Sequence, residues 1–222
     1  MTVDQFEVPL WIQLAAAGLG GLQGALFAAT QRDRRIDVLG VIVIGLTGAL
    51  GGSLLRDVVL NQPPVVVWVD WYLLVAGASA LIGMALQPLF GRARGAITAL
   101  DAVVMGLFGA IAAAKALSLG VDSVGALVVG VIGAIGGGLL RDIILARPVS
   151  ILHMGTLYAV AAAAGVSVLI VLVRLDVPVA MAGLVSTAVT VVVRLGAVAF
   201  GWTIPEQRAV PLIERNRTHD AS

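Results

Sequence analysis

The residues best able to do chemistry in this chain occur twice, 85 positions apart. Arg56-Asp57 and Arg141-Asp142 each follow a Leu-Leu pair. Before that pair comes a run of glycines: Gly48, Gly51 and Gly52 in the first copy, Gly133, Gly136, Gly137 and Gly138 in the second. The stretches around them read IDVLGVIVIGLTGALGGSLLRDVVLNQPP over 36–64 and VDSVGALVVGVIGAIGGGLLRDIILARPV over 121–149, with fourteen of 29 aligned positions identical. A guanidinium and a carboxylate in apolar surroundings line a path for ions, pair across helices, or reach out to a polar boundary. Neighbouring residues of a helix do not face one another, which argues against simple pairing inside each dipeptide. The identical placement in both copies favours a role near a path over plain anchoring.

Lys115 is the only lysine, beside 13 arginines. It lies about 28 Å along its helix at ~1.5 Å per residue. Its ammonium either snorkels outward or projects between the two repeats as a gating or barrier charge. Arg194, deep in the last apolar stretch, reads as an interfacial anchor. Asp37, Asp101 and Asp122 open apolar stretches, where carboxylates complement the helix dipole, and read as caps. His153 and His219 are isolated. No His, Asp or Glu residues show metal-ligand spacing, there is no cysteine, and neither a nucleophile elbow nor a paired-carboxylate site appears. Gly18 to Gly24 imitates a dinucleotide loop, but Gln23 replaces the last glycine and the run lies within an apolar stretch. It is packing surface. Nothing here supports an enzyme, and no cofactor is implied.

Composition says what must hold these residues. Of 222 residues, 59% are hydrophobic and 12% charged, and mean hydropathy is +1.04. A soluble domain carries about 25% charged residues, and a core this small could not bury the apolar excess. Lipid must be the solvent, which excludes a soluble enzyme, a nucleic-acid-binding domain and a disordered chain. Apolar runs of about 20 residues also exclude a β-barrel. The 27 glycines lie mostly inside those runs, where small residues allow close helix contact.

Seven spans follow, at about Leu10–Thr30, Asp37–Leu55, Tyr72–Phe90, Ala96–Leu119, Val124–Leu140, Leu157–Val173 and Pro178–Phe200. Arg32, Arg34, Arg35, Arg92, Arg94 and Arg147 fall in joints on one side, together with Arg208, Arg215 and Arg217 of the tail. Only Arg174 falls in a joint on the other side. The positive-inside rule then puts the N-terminus outside and the C-terminus inside. Asp4 and Glu7, without a basic residue, give the start of the chain no signal-peptide character.

The 85-residue offset also places Gly21 on Gly106 and Gly24 on Gly109, so each repeat holds three spans. An odd number inverts the second copy. The expected fold is all-α and membrane-integral: two inverted three-helix repeats, residues 1–95 and 96–176, then a seventh helix at 177–202 and a tail at 203–222. Inverted repeats place substrate or ion paths at their interface, often on interrupted helices. The glycine clusters either kink the second and fifth spans at such a path, or serve as GxxxG packing faces.

The doubled GxxGGxxxRD pattern on the second helix of each repeat, with a seventh helix after them, resembles the trimeric intracellular cation (TRIC) channel family, in particular its prokaryotic members. The likeness runs from about Leu10 to Pro205 and includes Leu100-Asp101-Ala102, the stretch around Lys115, and Arg194 to Pro205. It implies a homotrimer with an hourglass pore in each protomer, conducting monovalent cations, chiefly K⁺. Gly48, Gly51, Gly52, Gly133, Gly136, Gly137 and Gly138 then take the pore and kink role, with Ser53 opposite Gly138 making the constriction asymmetric. Arg56, Asp57, Arg141, Asp142 and Lys115 become pore-associated charges. Animal members carry a Lys-Glu-Val lipid motif where this chain has Asn61-Gln62-Pro63, which argues against phosphoinositide dependence.

The expected function is a passive K⁺-permeable channel in the plasma (inner) membrane, with monovalent cations, membrane lipid and two further copies of itself as partners and no nucleic acid. The rival is a small secondary transporter, which inverted repeats with broken helices suit equally. Gly20/Gly24, Gly106/Gly109 and the small faces of the second and fifth spans are the expected contacts between protomers.

Overall fold

The computed structural model describes residues 8–29, 36–90, 94–149 and 157–203. Within them are eight helices: α1 (Leu10–Ala29), α2 (Val38–Val59), α3 (Val65–Trp68), α4 (Asp70–Phe90), α5 (Arg94–Ser118), α6 (Ser123–Ile144), α7 (Tyr158–Arg174) and α8 (Val179–Phe200). Six are long and apolar enough to cross a membrane, and α7 is shorter at 17 residues. The short α3 has no counterpart among the expected spans. His153, His219, the arginines at 32–35 and those of the tail lie outside the described residues.

The repeats end their second helices in the same way. Leu60 and Leu145 close α2 and α6. Asn61 and Ala146 then take left-handed backbone at φ 51° and 45°. Gln62 N–H reaches back to the Asp57 carbonyl at 2.8 Å, and Arg147 N–H to that of Asp142 at 2.9 Å. These bonds satisfy carbonyls that a helix end otherwise leaves orphaned. Both helices therefore run one turn further than Leu55 and Leu140, carrying each Arg-Asp pair inside the last turn.

Between those ends, α2 and α6 cross on their glycines. A Cβ on Gly52 would run into the Gly133 carbonyl oxygen, and one on Gly137 into that of Gly48. Gly51 and Gly136 lie similarly against Gly137 and Gly52. The contacts are reciprocal under the 85-residue offset, so the pseudo-twofold relating the repeats passes through this crossing. Both helices are unbroken through the glycines.

The other small faces are used within the chain. Gly20 packs on Ala49, Gly24 on Gly45, Gly106 on Thr187 and Gly109 on Ala134 and Val166. The expectation that Gly20/Gly24 and Gly106/Gly109 meet a neighbouring protomer is corrected: helices of one chain already fill those grooves. The core around them is largely alanine, including Ala16, Ala49, Ala76, Ala113 and Ala161, as close approach without a hydrophobic drive requires. Polar side chains in the spans bond back to their own helix: Ser53 to Leu50 O at 2.8 Å, Thr187 to Gly183 O at 2.8 Å and Thr190 to Ser186 O at 3.0 Å.

Trp11, Trp68 and Trp71 stand exposed at one end of the bundle and Trp202 at the other, the girdle arrangement of residues that sit at headgroup level.

Candidate functional site

Two charged clusters flank the glycine crossing, one toward each end of the bundle. The first gathers at the ends of α2 and α5. Asp57 is fully buried; its Oδ1 accepts from Arg56 Nε and from Lys115 Nζ, each at 2.8 Å, while Oδ2 accepts the Val65 N–H of α3 at 3.0 Å. Arg56 and Asp57 thus form the intra-dipeptide pair that helix geometry argued against. The reason is burial. With side-chain exposures of 3% and 0%, an uncompensated carboxylate would cost several kcal/mol, enough to fold the long arginine back on its neighbour. Lys115 joins a carboxylate of the other repeat, so its ammonium projects between the repeats rather than reaching out alone, although 29% of its side chain remains accessible.

A cavity of about 570 Å³ opens beside this cluster, lined by Arg56, Lys115, Ser118, Ile111 and the start of α1. Gln13 fixes its rim, donating to Val8 O at 2.8 Å and accepting from the Tyr72 hydroxyl at 2.7 Å.

The second cluster lies where α6 and α8 end and α5 and α7 begin. Arg141 Nε and Asp142 Oδ1 are 3.5 Å apart, a longer pair than its counterpart, and both side chains are buried. The Arg141 guanidinium lies 3.6 Å over the Phe27 ring, with Arg147 on the same ring at 5.3 Å. Asp101 accepts from Gln23 Nε2 at 2.9 Å and from the Tyr158 hydroxyl. Arg194 stacks over the Tyr158 ring at 4.7 Å. Gly138 faces this cluster, near the Tyr158 hydroxyl and Arg141, and not the helix crossing.

Asp101 is therefore no cap. It sits two turns inside α5, where a carboxylate needs partners, and Gln23 and Tyr158 provide them. Asp37 does cap α2, accepting from Gly40 N–H at 2.7 Å. Asp122 occupies the cap position of α6 without a side-chain capping bond. The roles of Gln23 and Tyr158 were missed in the sequence; the available signal was a glutamine deep within an apolar span, which must find a partner there. Among the described residues no group of His, Asp or Glu is placed to hold a metal.

Two stretches of the chain, residues 10–88 and 98–174, match the family described as glycine transporter. The chain belongs to the glycine transporter family. One match covers α1 to α4 and the other α5 to α7. A relative of this glycine transporter family member in Escherichia coli K12, the UPF0126 inner membrane protein YadS, is 30% identical over 199 residues, covering 88% of this chain and 94% of that one. A solved TRIC cation channel superposes with a TM-score of 0.78 at 28% identity, over 88% of this chain and 97% of the channel. The TRIC orthologue from Rhodobacter sphaeroides gives 0.78 at 27% identity, over 87% and 98%. The family member thus has the fold of the prokaryotic TRIC channels, and the resemblance read from the doubled glycine and Arg-Asp motif holds.

Proposed function

We propose that the protein is a passive cation channel with one path in each protomer of a homotrimer, running along the α2/α6 crossing from one charged cluster to the other. The observation that supports this best is the close superposition on solved TRIC cation channels over nearly the whole chain. The position of the crossing, on the pseudo-twofold and between two polar clusters, suits a path that narrows at mid-depth. K⁺ is the proposed main ion. The close backbone contact between Gly52 and Gly133 and between Gly137 and Gly48 supports a closed arrangement, with bending of α2 and α6 at those glycines as the proposed opening motion. Residues 1–95 and 96–176 then act as opposed halves, with 177–202 bracing the second and 203–222 as a cytoplasmic tail. The proposed location is the plasma membrane with the N-terminus outside, which the distribution of arginines supports.

A second reading has its own support. The family description names a transporter of glycine, and a closed crossing between inverted halves also suits alternating access. Proteoliposomes separate the two. A K⁺ gradient without glycine should polarise vesicles carrying the protein; if voltage stays flat while labelled glycine exchanges and saturates, the transporter reading replaces the channel. Cross-linking in mild detergent should yield trimers.

A further inference from the structure

We propose that the cavity beside Lys115 and Arg56 is a binding site for a small carboxylate-bearing solute. The inference rests on the reading of that cavity as the mouth of the cation path for its consequence, though not for the binding itself.

Among the described residues, the lining of the cavity holds two cations and no carboxylate. Arg56 and Lys115 line it, whereas Asp57, the carboxylate that pairs with both, is fully buried behind them. Both Asp57 oxygens are occupied, Oδ1 by the two cations and Oδ2 by the Val65 N–H, so it has no free side to turn toward a ligand. Within this described cluster one carboxylate meets two cations.

The donors are not exhausted by that pairing. Arg56 uses its Nε and Lys115 one ammonium hydrogen, against five and three donors in all. Gln13 is held at the rim by its bonds to Val8 and Tyr72. A guanidinium fork beside an ammonium matches the two oxygens of a carboxylate. Val8, Pro9, Leu10 and Ile111 give the lining an apolar side that suits a short hydrocarbon stem, which a bare halide lacks, while the Ser118 hydroxyl donates to Lys115 O at 2.8 Å. At about 570 Å³ the space falls in the usual range for small-molecule sites. A bound carboxylate would also compete with Asp57 for Lys115 and offset the second cation of the cluster, lowering the barrier to a cation at this mouth.

The test is calorimetric titration of the intact chain in detergent with sodium acetate, propionate, glycine, methylammonium and chloride. Acetate and propionate should bind saturably with one site per chain, glycine alongside them, and methylammonium not at all. K115Q should weaken acetate by about tenfold, the loss of one charge-assisted hydrogen bond, while K115R keeps most of the affinity. Absence of saturable acetate binding, equal affinity in K115Q, or displacement of acetate by chloride at matching concentration would overturn the proposal. Glycine binding without acetate would overturn it too, since the ammonium group would then be what is recognised. Because no flux is measured, the site can fail while cation conduction stands, and the reverse.

Discussion

Lys115→Gln removes one of the two cations that hold Asp57 while keeping a side chain of similar reach. In the structure the ammonium lies 2.8 Å from Asp57 Oδ1, a tie that on the proposed reading holds the channel closed. At an effective dielectric constant of about 20, two charges at that separation attract by about 6 kcal/mol, which is a ceiling before desolvation and side-chain entropy. A hydrogen bond to a charged group contributes about 1.5–3 kcal/mol net. The 29% exposure of Lys115 brings in solvent screening and sets the expectation at the lower end, about 1.5 kcal/mol, or roughly tenfold in an open-to-closed ratio. Asp57 keeps Arg56 and the Val65 N–H, so the protein should still fold. Open probability in planar bilayers should therefore rise about tenfold in K115Q, stay near the parent in K115R, and show coupling between K115Q and D57N in a double-mutant cycle. The reasoning fails if K115Q leaves open probability unchanged or lowers it, or if the two substitutions are additive.

Three further outcomes follow from the geometry. D101A removes the acceptor of both Gln23 and Tyr158, and thermal unfolding in detergent should register a loss of about 2–6 kcal/mol, two orphaned donors at about 1–3 kcal/mol each, against about 1–3 kcal/mol for Q23L, which deletes one hydrogen bond to the same carboxylate. G52A pushes a methyl into the Gly133 carbonyl and should lower the melting temperature by the equivalent of about 1–3 kcal/mol; an unchanged melting curve would mean that the crossing is looser than described. A146G relieves a left-handed alanine at φ 45° and should stabilise by about 1 kcal/mol, read as a small upward shift of the same curve.

The repeat was the legible part of this molecule. Aligning 36–64 with 121–149 brings out both the inverted architecture and the equivalence of Gly52 with Gly137 and Gly48 with Gly133, which meet at the crossing. Span placement was likewise readable, because in lipid every backbone group must bond within its helix and long apolar runs leave no alternative. What escaped was set by side-chain reach and tertiary burial. Arg56 pairs with its own neighbour because both are buried, a condition that helix periodicity does not contain. Asp101 looked like a cap because it lies near the start of a span, yet α5 begins at Arg94 and leaves it mid-helix, bonded to Gln23 of the other repeat. α3 escaped because four residues after Pro63-Pro64 carry no periodic signal, although its first N–H completes the shell of Asp57. The small faces misled in the opposite direction: GxxxG states that a helix will be approached closely, and not whether by its own chain or by another.

The central claim is conduction of cations by the intact protein. Purified protein in a planar bilayer under asymmetric KCl tests it most directly. The account predicts discrete current steps that reverse close to the K⁺ equilibrium potential. A silent bilayer, with the same preparation carrying saturable glycine flux in vesicles, would contradict it.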